Sequence, residues 1–223
     1  ETFSDLGLKF IEDASVNSVV TGNDGSSPFL RLSYSSNEYS IIHTRLNLQY
    51  LGLSPNSTII DAKLNLTAAL TTNLMEVSSH SYLGPDWKED EIKYGAYSNG
   101  QIWSDGGLEY VKQSTDIEQV IPGQTNVLDF DFDLFAQQAL QDSTTEPLEI
   151  ALIGHSPGEA PTTNELRLFS TESNSGHEPM VEIVYNWTPT NYTQPVELIA
   201  PIDAKAVWNL SGHNISGLSL IHI

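Results

Sequence analysis

The sequence predicts an all-β fold, an antiparallel jelly-roll β-sandwich with at most one short helix. Three observations carry this expectation. Apolar residues recur at every second position through many short segments, the signature of strands with one buried and one wet face. Turn-forming residues punctuate those segments at short intervals. Only one stretch has a composition that favours helix.

The elements follow in chain order. Phe29 to Tyr34 and Ile42 to Tyr50 are the first strand-like runs, separated from what precedes by Gly22-Asn23-Asp24-Gly25. After Ser54-Pro55-Asn56, the run Ile60-Asp61-Ala62-Lys63-Leu64-Asn65-Leu66-Thr67-Ala68 alternates cleanly and puts Asn65 on its wet face. A loop-rich stretch with turns at Ser98-Asn99-Gly100 and Asp105-Gly106-Gly107 follows. Beyond Pro122-Gly123 come a strand from Asn126 to Phe132 and a helix from Leu134 to Leu140, for which Asp133 is the cap. Strands from Leu148 to Ile153 and from Val181 to Tyr185 complete the pattern.

Composition changes after Tyr185. Asn186 to Gln194 reads NWTPTNYTQ, and we expect a sandwich domain over 1–186, a polar linker over 187–195, and new strand-like runs over 196–223. Val196-Glu197-Leu198-Ile199 and Leu218-Ser219-Leu220-Ile221 cannot bury themselves within so short a segment. They are either the opening of a second β-domain or strands donated to a neighbouring copy.

Nine Lys+Arg against 29 Asp+Glu give a net charge of −20. Such a surface repels phosphate backbones and anionic lipid, which argues against nucleic acid and direct membrane contact. No apolar run approaches the roughly 18 residues a membrane span needs. With no cysteine, disulfides, thiolate zinc sites and cysteine nucleophiles are all excluded. The chain opens Glu1-Thr2-Phe3-Ser4-Asp5 without a basic or apolar leader, so a signal peptide is expected to have been removed or to lie outside this segment. Six Asn-x-Ser/Thr sequons, at Asn56, Asn65, Asn186, Asn191, Asn209 and Asn214, point to export and N-glycosylation. Chance would give roughly three, and the excess favours an extracellular or cell-surface location.

Catalytic signals are weak. Gly154-His155-Ser156-Pro157-Gly158 matches the nucleophile-elbow pattern and follows a strand. However, Pro157 has no backbone N–H to give an oxyanion hole, and Glu159 to Asn164 reads as a loop where an elbow needs a helix. Glu89, Asp90 and Glu91 form an acidic turn with no nominated partner. The six His contain no HExxH and no close pair. The expectation is a chain that is not an enzyme.

Two binding constellations remain. Asp129, Asp131 and Asp133 fall on one strand face opposite Leu128, Phe130 and Phe132; a structural calcium ion would screen them, and a solvent face ending in a helix cap is the other reading. Trp87, Tyr94, Tyr97, Trp103 and Tyr110 lie within 24 residues. Exposed, these rings would form a sugar platform; buried, they would pin the long loops onto the sandwich.

Three segments together resemble the DNRLRE domain family. Ile42-His43-Thr44-Arg45-Leu46-Asn47-Leu48 followed by Leu53 to Leu66 is similar to that family's strand–loop–strand. Asp86-Trp87-Lys88-Glu89 with the later Trp103 resembles its W-x-E … W loop. Leu168-Phe169-Ser170-Thr171-Glu172 and His177 to Tyr185 resemble its closing strands. The likeness covers roughly residues 10 to 185. Departures are Leu48, where the family has Phe, and Leu140-Gln141-Asp142, where a Trp follows its helix. The resemblance implies a carbohydrate-binding-module-like jelly roll in a bacterial or archaeal surface protein. Such a module would bind polysaccharide or act as a spacer. The resemblance implies no catalytic residue. The alternative, carried by the strand-like tail rather than by the resemblance, is a homopolymeric subunit of an extracellular filament or surface layer that meets neighbouring copies by β-strand addition.

Overall fold

A computed structural model describes residues 10–19, 25–35, 40–51, 53, 57–98, 100–103, 105–124, 126–141, 147–155, 164–186 and 218–222. Two antiparallel sheets face each other. The five-stranded sheet comprises β1 (Ile11–Asn17), β3 (Ser40–Leu46), β10 (Leu148–His155), β5 (Met75–Tyr82) and β8 (Val111–Val120), in that spatial order. The six-stranded sheet runs β13 (Leu218–His222), β12 (Met180–Asn186), β4 (Thr58–Thr71), β11 (Asn164–Phe169), β2 (Phe29–Tyr34), with β9 (Val127–Asp131) also on β4. The hairpin β6 (Ala96–Ser98) and β7 (Gln101–Ile102) stands apart, and α1 (Asp133–Gln141) is the one α-helix among the described residues. No helix among them is long and apolar enough to cross a membrane.

The long strand β4 organises the second sheet. Residues 63–65 pair with β12 on one edge and β9 on the other, and Ala68 to Thr71 take β11. Its alternation puts Ala62, Leu64 and Leu66 inward, where they meet Phe130, Leu128, Val181 and Ile183 from their own sheet. Ile42, Leu46, Met75, Val77, Ile150 and Leu152 face them from the five-stranded sheet. Each fully buried Leu or Ile contributes about 1.5–3 kcal/mol of transfer free energy, so this inter-sheet layer is the main source of stability.

Expectation and structure agree where alternation is clean: Phe29–Tyr34, the core of β4, β9, β12 and the helix all fall where the sequence places them. The run expected to extend to Tyr50 instead leaves the sheet at Leu46 and turns through a short 3-10 segment, Leu48–Leu51. In the tail, Leu218–His222 pairs antiparallel with β12, setting Leu220 opposite Val184 and His222 opposite Glu182. The linker and the remaining tail, 187–217, lie outside the described residues.

Candidate functional site

The candidate site is the outer face of the five-stranded sheet, the face turned away from the six-stranded sheet. On β3 this face presents Ile41, His43 and Arg45 at successive alternate positions. Register decides what each can accommodate. His43 lies between Ala14 of β1 and Ala151 of β10, two small side chains that leave space above the imidazole. Arg45 lies between Glu12 and Glu149, so the same two strands supply carboxylates on both sides of the guanidinium.

The connection over residues 83–110 folds down onto this face. The Trp103 ring stacks on His43 with centroids 5.1 Å apart and an interplanar angle of 25°. Tyr82 meets the imidazole edge-on at 5.0 Å, and Trp87 lies at 6.0 Å. Trp103 Nε1 donates to Lys93 O at 2.9 Å, fixing the indole to its own loop. The turn that closes over the stack needs two residues at positive φ, Gly106 (66°) and Gly107 (86°). A Cβ on Gly107 would come within 2.7 Å of the Trp103 ring. With Ala14, Val16, Ile41, Ile92 and Ala151, these rings make a second hydrophobic cluster, separate from the inter-sheet core.

His43 Nε2 lies 2.9 Å from Gly106 O. A carbonyl only accepts, so Nε2 carries the proton and donates, and Nδ1 is left buried without a partner. Burial holds the imidazole neutral, lowering its pKa to about 4. Arg45 sits with Cζ 4.6 Å from the Trp87 ring centroid. Its Nε and Nη2 donate to Glu149 Oε1 at 3.1 and 2.9 Å, Nη1 donates to Glu12 Oε2 at 3.1 Å, and Nη2 also reaches Asp86 Oδ1. One cation thus serves three carboxylates. Burial, with the charges of Asp86 and Glu12, pushes Glu149 up to about 7 against the pull of Arg45.

This geometry corrects two expectations. Trp87 is 0% and Trp103 5% exposed, so neither offers the free ring face that stacking on a sugar requires. They fill the space above Ala14, His43 and Ala151, the second of the two uses the sequence allowed. Tyr94, Tyr97 and Tyr110 are half-buried, and Tyr97 OH donates to Gln101 Oε1 at 3.1 Å. Asp129 and Asp131 do stand on the exposed face of β9, but among the described residues they do not gather with Asp133 into a group whose ligand atoms lie within 4.8 Å of one another. Asp133 has turned into α1, where its Oδ1 accepts from Leu134 N at 2.7 Å. Lys63, directly opposite Asp131, supplies the positive charge that calcium was expected to bring.

Among the sequons, Asn186 is exposed at the end of β12. Asn65 is half-buried in the middle of the sheet's outer face, between Asp129 and Met180. Asn56, Asn191, Asn209 and Asn214 lie outside the described residues, as do Ser156 and Pro157 of the elbow-like pattern. The same outer face holds one constellation the sequence did not suggest. Ser78 Oγ lies 2.8 Å from His80 Nε2 and 2.9 Å from His155 Nε2, yet Ser78 is only 3% exposed, which denies a substrate access to it. Another is a group of three carboxylates, Asp13, Glu89 and Glu172, with ligand atoms within 4.8 Å of one another. Asp13 could have been noticed as an acid in register with inward-facing Ile11 on the same strand; Glu172 carries no comparable local signal.

The fold and this covered face define the chain as an all-β antiparallel sandwich with a second, aromatic core on one outer face. No family model and no curated protein matches the chain.

Proposed function

We propose that this chain is a non-catalytic structural or adhesive module of a larger extracellular surface protein. The observation that carries the reading is the fate of the 83–110 connection. A long loop that could have formed a mobile recognition site is instead bolted to the sheet through Trp87, Trp103 and His43. A sandwich covered in this way suits a rigid spacer. The net charge of −20 and the excess of sequons support a saline, glycosylating exterior, and the resemblance to the DNRLRE family supports a jelly-roll module with polysaccharide as its partner. For glycan contact the half-buried Tyr94, Tyr97 and Tyr110 are the rings of that set that retain exposed surface. Glycan-array binding by the wild type, lost on Tyr97→Ala with the circular dichroism spectrum unchanged, is the expected result of the adhesive form. Intact-mass analysis of native material should show added mass on Asn186.

A second reading, a filament subunit joined by β-strand addition, is favoured by β13. Its partner, the edge of β12, accepts a strand from the far end of a long connection, and the same edge could take that strand from a neighbouring copy. Negative-stain imaging of native material separates the two: bare monomers favour the spacer, and fibres that dissolve when the chain ends at Asn186 favour the polymer.

A further inference from the structure

We propose that Asp13, Glu89 and Glu172 form a Ca2+ site that ties the edge strand β1 to the two loops packed beside it. Four separate chain segments meet at this point. Asp13 N, on β1, donates to Glu89 Oε1 at 3.1 Å, so the loop acid caps the strand's open edge. Thr171 N donates to Asp13 Oδ2 at 3.0 Å, which brings in the turn after β11. Ser170 Oγ donates to Ser27 O at 2.6 Å, bringing in the turn before β2. Gly25, in that turn, approaches so closely that a Cβ there would lie 1.8 Å from Glu89 O.

Three carboxylates drawn together in this way repel one another, and proximity alone does not make a ligand site. The separate observation is Asp13 itself. It is 1% exposed, and its Oδ1 has no hydrogen-bond partner. A buried carboxylate oxygen without a donor is costly to keep. A cation satisfies the oxygen and the repulsion together. The chemistry of the donors selects a hard ion: all are carboxylate oxygens, with no imidazole or thiolate among them. An oxygen shell around Ca2+ at 2.3–2.6 Å is about 5 Å across, which accommodates three atoms that lie within 4.8 Å of one another. Water and backbone oxygens complete such a shell. With three carboxylates and the rest of the shell left to water and backbone oxygens, binding is weak, with Kd about 10⁻⁴–10⁻³ M.

The inference is independent of the functional reading and is tested on the full chain. Protein stripped with chelator should melt about 5–10 °C higher in Ca2+ at 100-fold its Kd, with a single-site isotherm by calorimetry. Asp13→Asn should abolish both responses while melting, in chelator, no lower than the stripped wild type, because it removes the repulsion. Glu172→Gln, at the more tolerant half-buried position, should weaken binding at least tenfold and guards against a folding defect in the first variant. Absence of any Ca2+ response in the wild type, a response undiminished in both variants, or a response to Mg2+ and not to Ca2+ would each overturn the assignment.

Discussion

In the six-stranded sheet, β4 buries Ala62, Leu64 and Leu66 and leaves Asp61, Lys63 and Asn65 half-buried on a face that no layer covers among the described residues. In the five-stranded sheet, every residue of β3 from Ser40 to Leu46 is buried. The two strands belong to one sandwich and share one inter-sheet core, so the difference lies on their outer faces. One carries carboxylates, amides and a lysine. The other carries Ile41, His43 and Arg45, a graded series from apolar to charged, and recruits a loop of matching chemistry: Trp87 and Trp103 over His43, and Asp86 beside the Glu12 and Glu149 that the neighbouring strands already bring to Arg45. A sandwich with one wet face per sheet needs only alternation. A sheet covered on both faces needs its loop specified as well, and the cost of error there is a buried imidazole or guanidinium without partners.

If the inter-sheet core is the primary layer, its truncation should have the largest effect. Phe130→Ala removes a fully buried ring between the sheets and should lower stability by about 3–5 kcal/mol, seen as a shift of the urea midpoint with unchanged slope. Trp103→Ala should cost less, because the loop can rise from the outer face while the sandwich stays closed. Hydrogen exchange would then show protection lost in 83–110 and on β3 but retained on β4. Global loss of protection in both variants would erase the distinction between the layers.

The next effect is acidic. The His43 pKa is depressed to about 4 from the ordinary 6.5, so the folded state resists protonation that the unfolded chain accepts. Stability is therefore fully present above pH 6.5 and falls as pH drops toward 4, by up to about 3 kcal/mol. Glu149, raised to about 7, acts with the opposite sign: its contribution is present below pH 4.5 and is lost as pH rises through 7. Subtracting the pH profile of His43→Phe from that of the wild type isolates the histidine. A difference that is flat from pH 6.5 to 4 would mean the outer core opens without resistance.

The two layers also differ in how far they could be read in advance. In the six-stranded sheet β2, β4, β9 and β12 were legible because alternation is a local property: Leu64 and Asn65 declare their faces without reference to anything distant. In contrast, β11 is not among the strand-like runs read from the sequence, and its first residue, Asn164, reads as loop. The five-stranded sheet was less so. In Ile41-Ile42-His43-Thr44-Arg45-Leu46 both faces are to be buried, so the binary pattern blurs and His43 looks like a surface residue. On β5, Ser78 and Ser79 dilute the apolar signal although both are buried. The aromatic cluster was visible as composition, but its destination depends on Ala14 and Ala151, more than 100 residues apart, flanking one histidine. The carboxylate group was invisible for the same reason, since Asp13 and Glu172 meet through tertiary contact alone.

Electrostatic pairing offers a smaller test of the same contrast. Arg45→Met keeps much of the stem packed against Trp87 but leaves Glu149 buried beside Glu12 and Asp86 without a cation. Because Asp86 is largely exposed, water relieves part of the cost, and about 2 kcal/mol is expected. Adding Glu149→Gln should recover most of it. On the wet sheet the corresponding change, Lys63→Met, should cost clearly less than Arg45→Met because its partners are solvated. Equal losses at Arg45 and Lys63 would show that the cover does not exclude water.

The smallest effect should come from the cover's own outer surface. The loops that bury Trp87 and Trp103 also hold Leu83 at 71% and Ile102 at 81% exposure. Neither side chain belongs to either hydrophobic cluster among the described residues, and single exposed apolar residues are ordinary on protein surfaces. In the isolated chain, Leu83→Ser and Ile102→Ser should therefore change stability by no more than about 0.5 kcal/mol each. The measurement is most useful when repeated across protein concentration. If the melting temperature of the wild type climbs with concentration and that of Ile102→Ser does not, the residue is buried between copies, and the cover serves as a docking surface as well as a lid on the sheet. If both are independent of concentration, the outer core ends at Trp103, and the apolar tips beyond it contribute to neither layer.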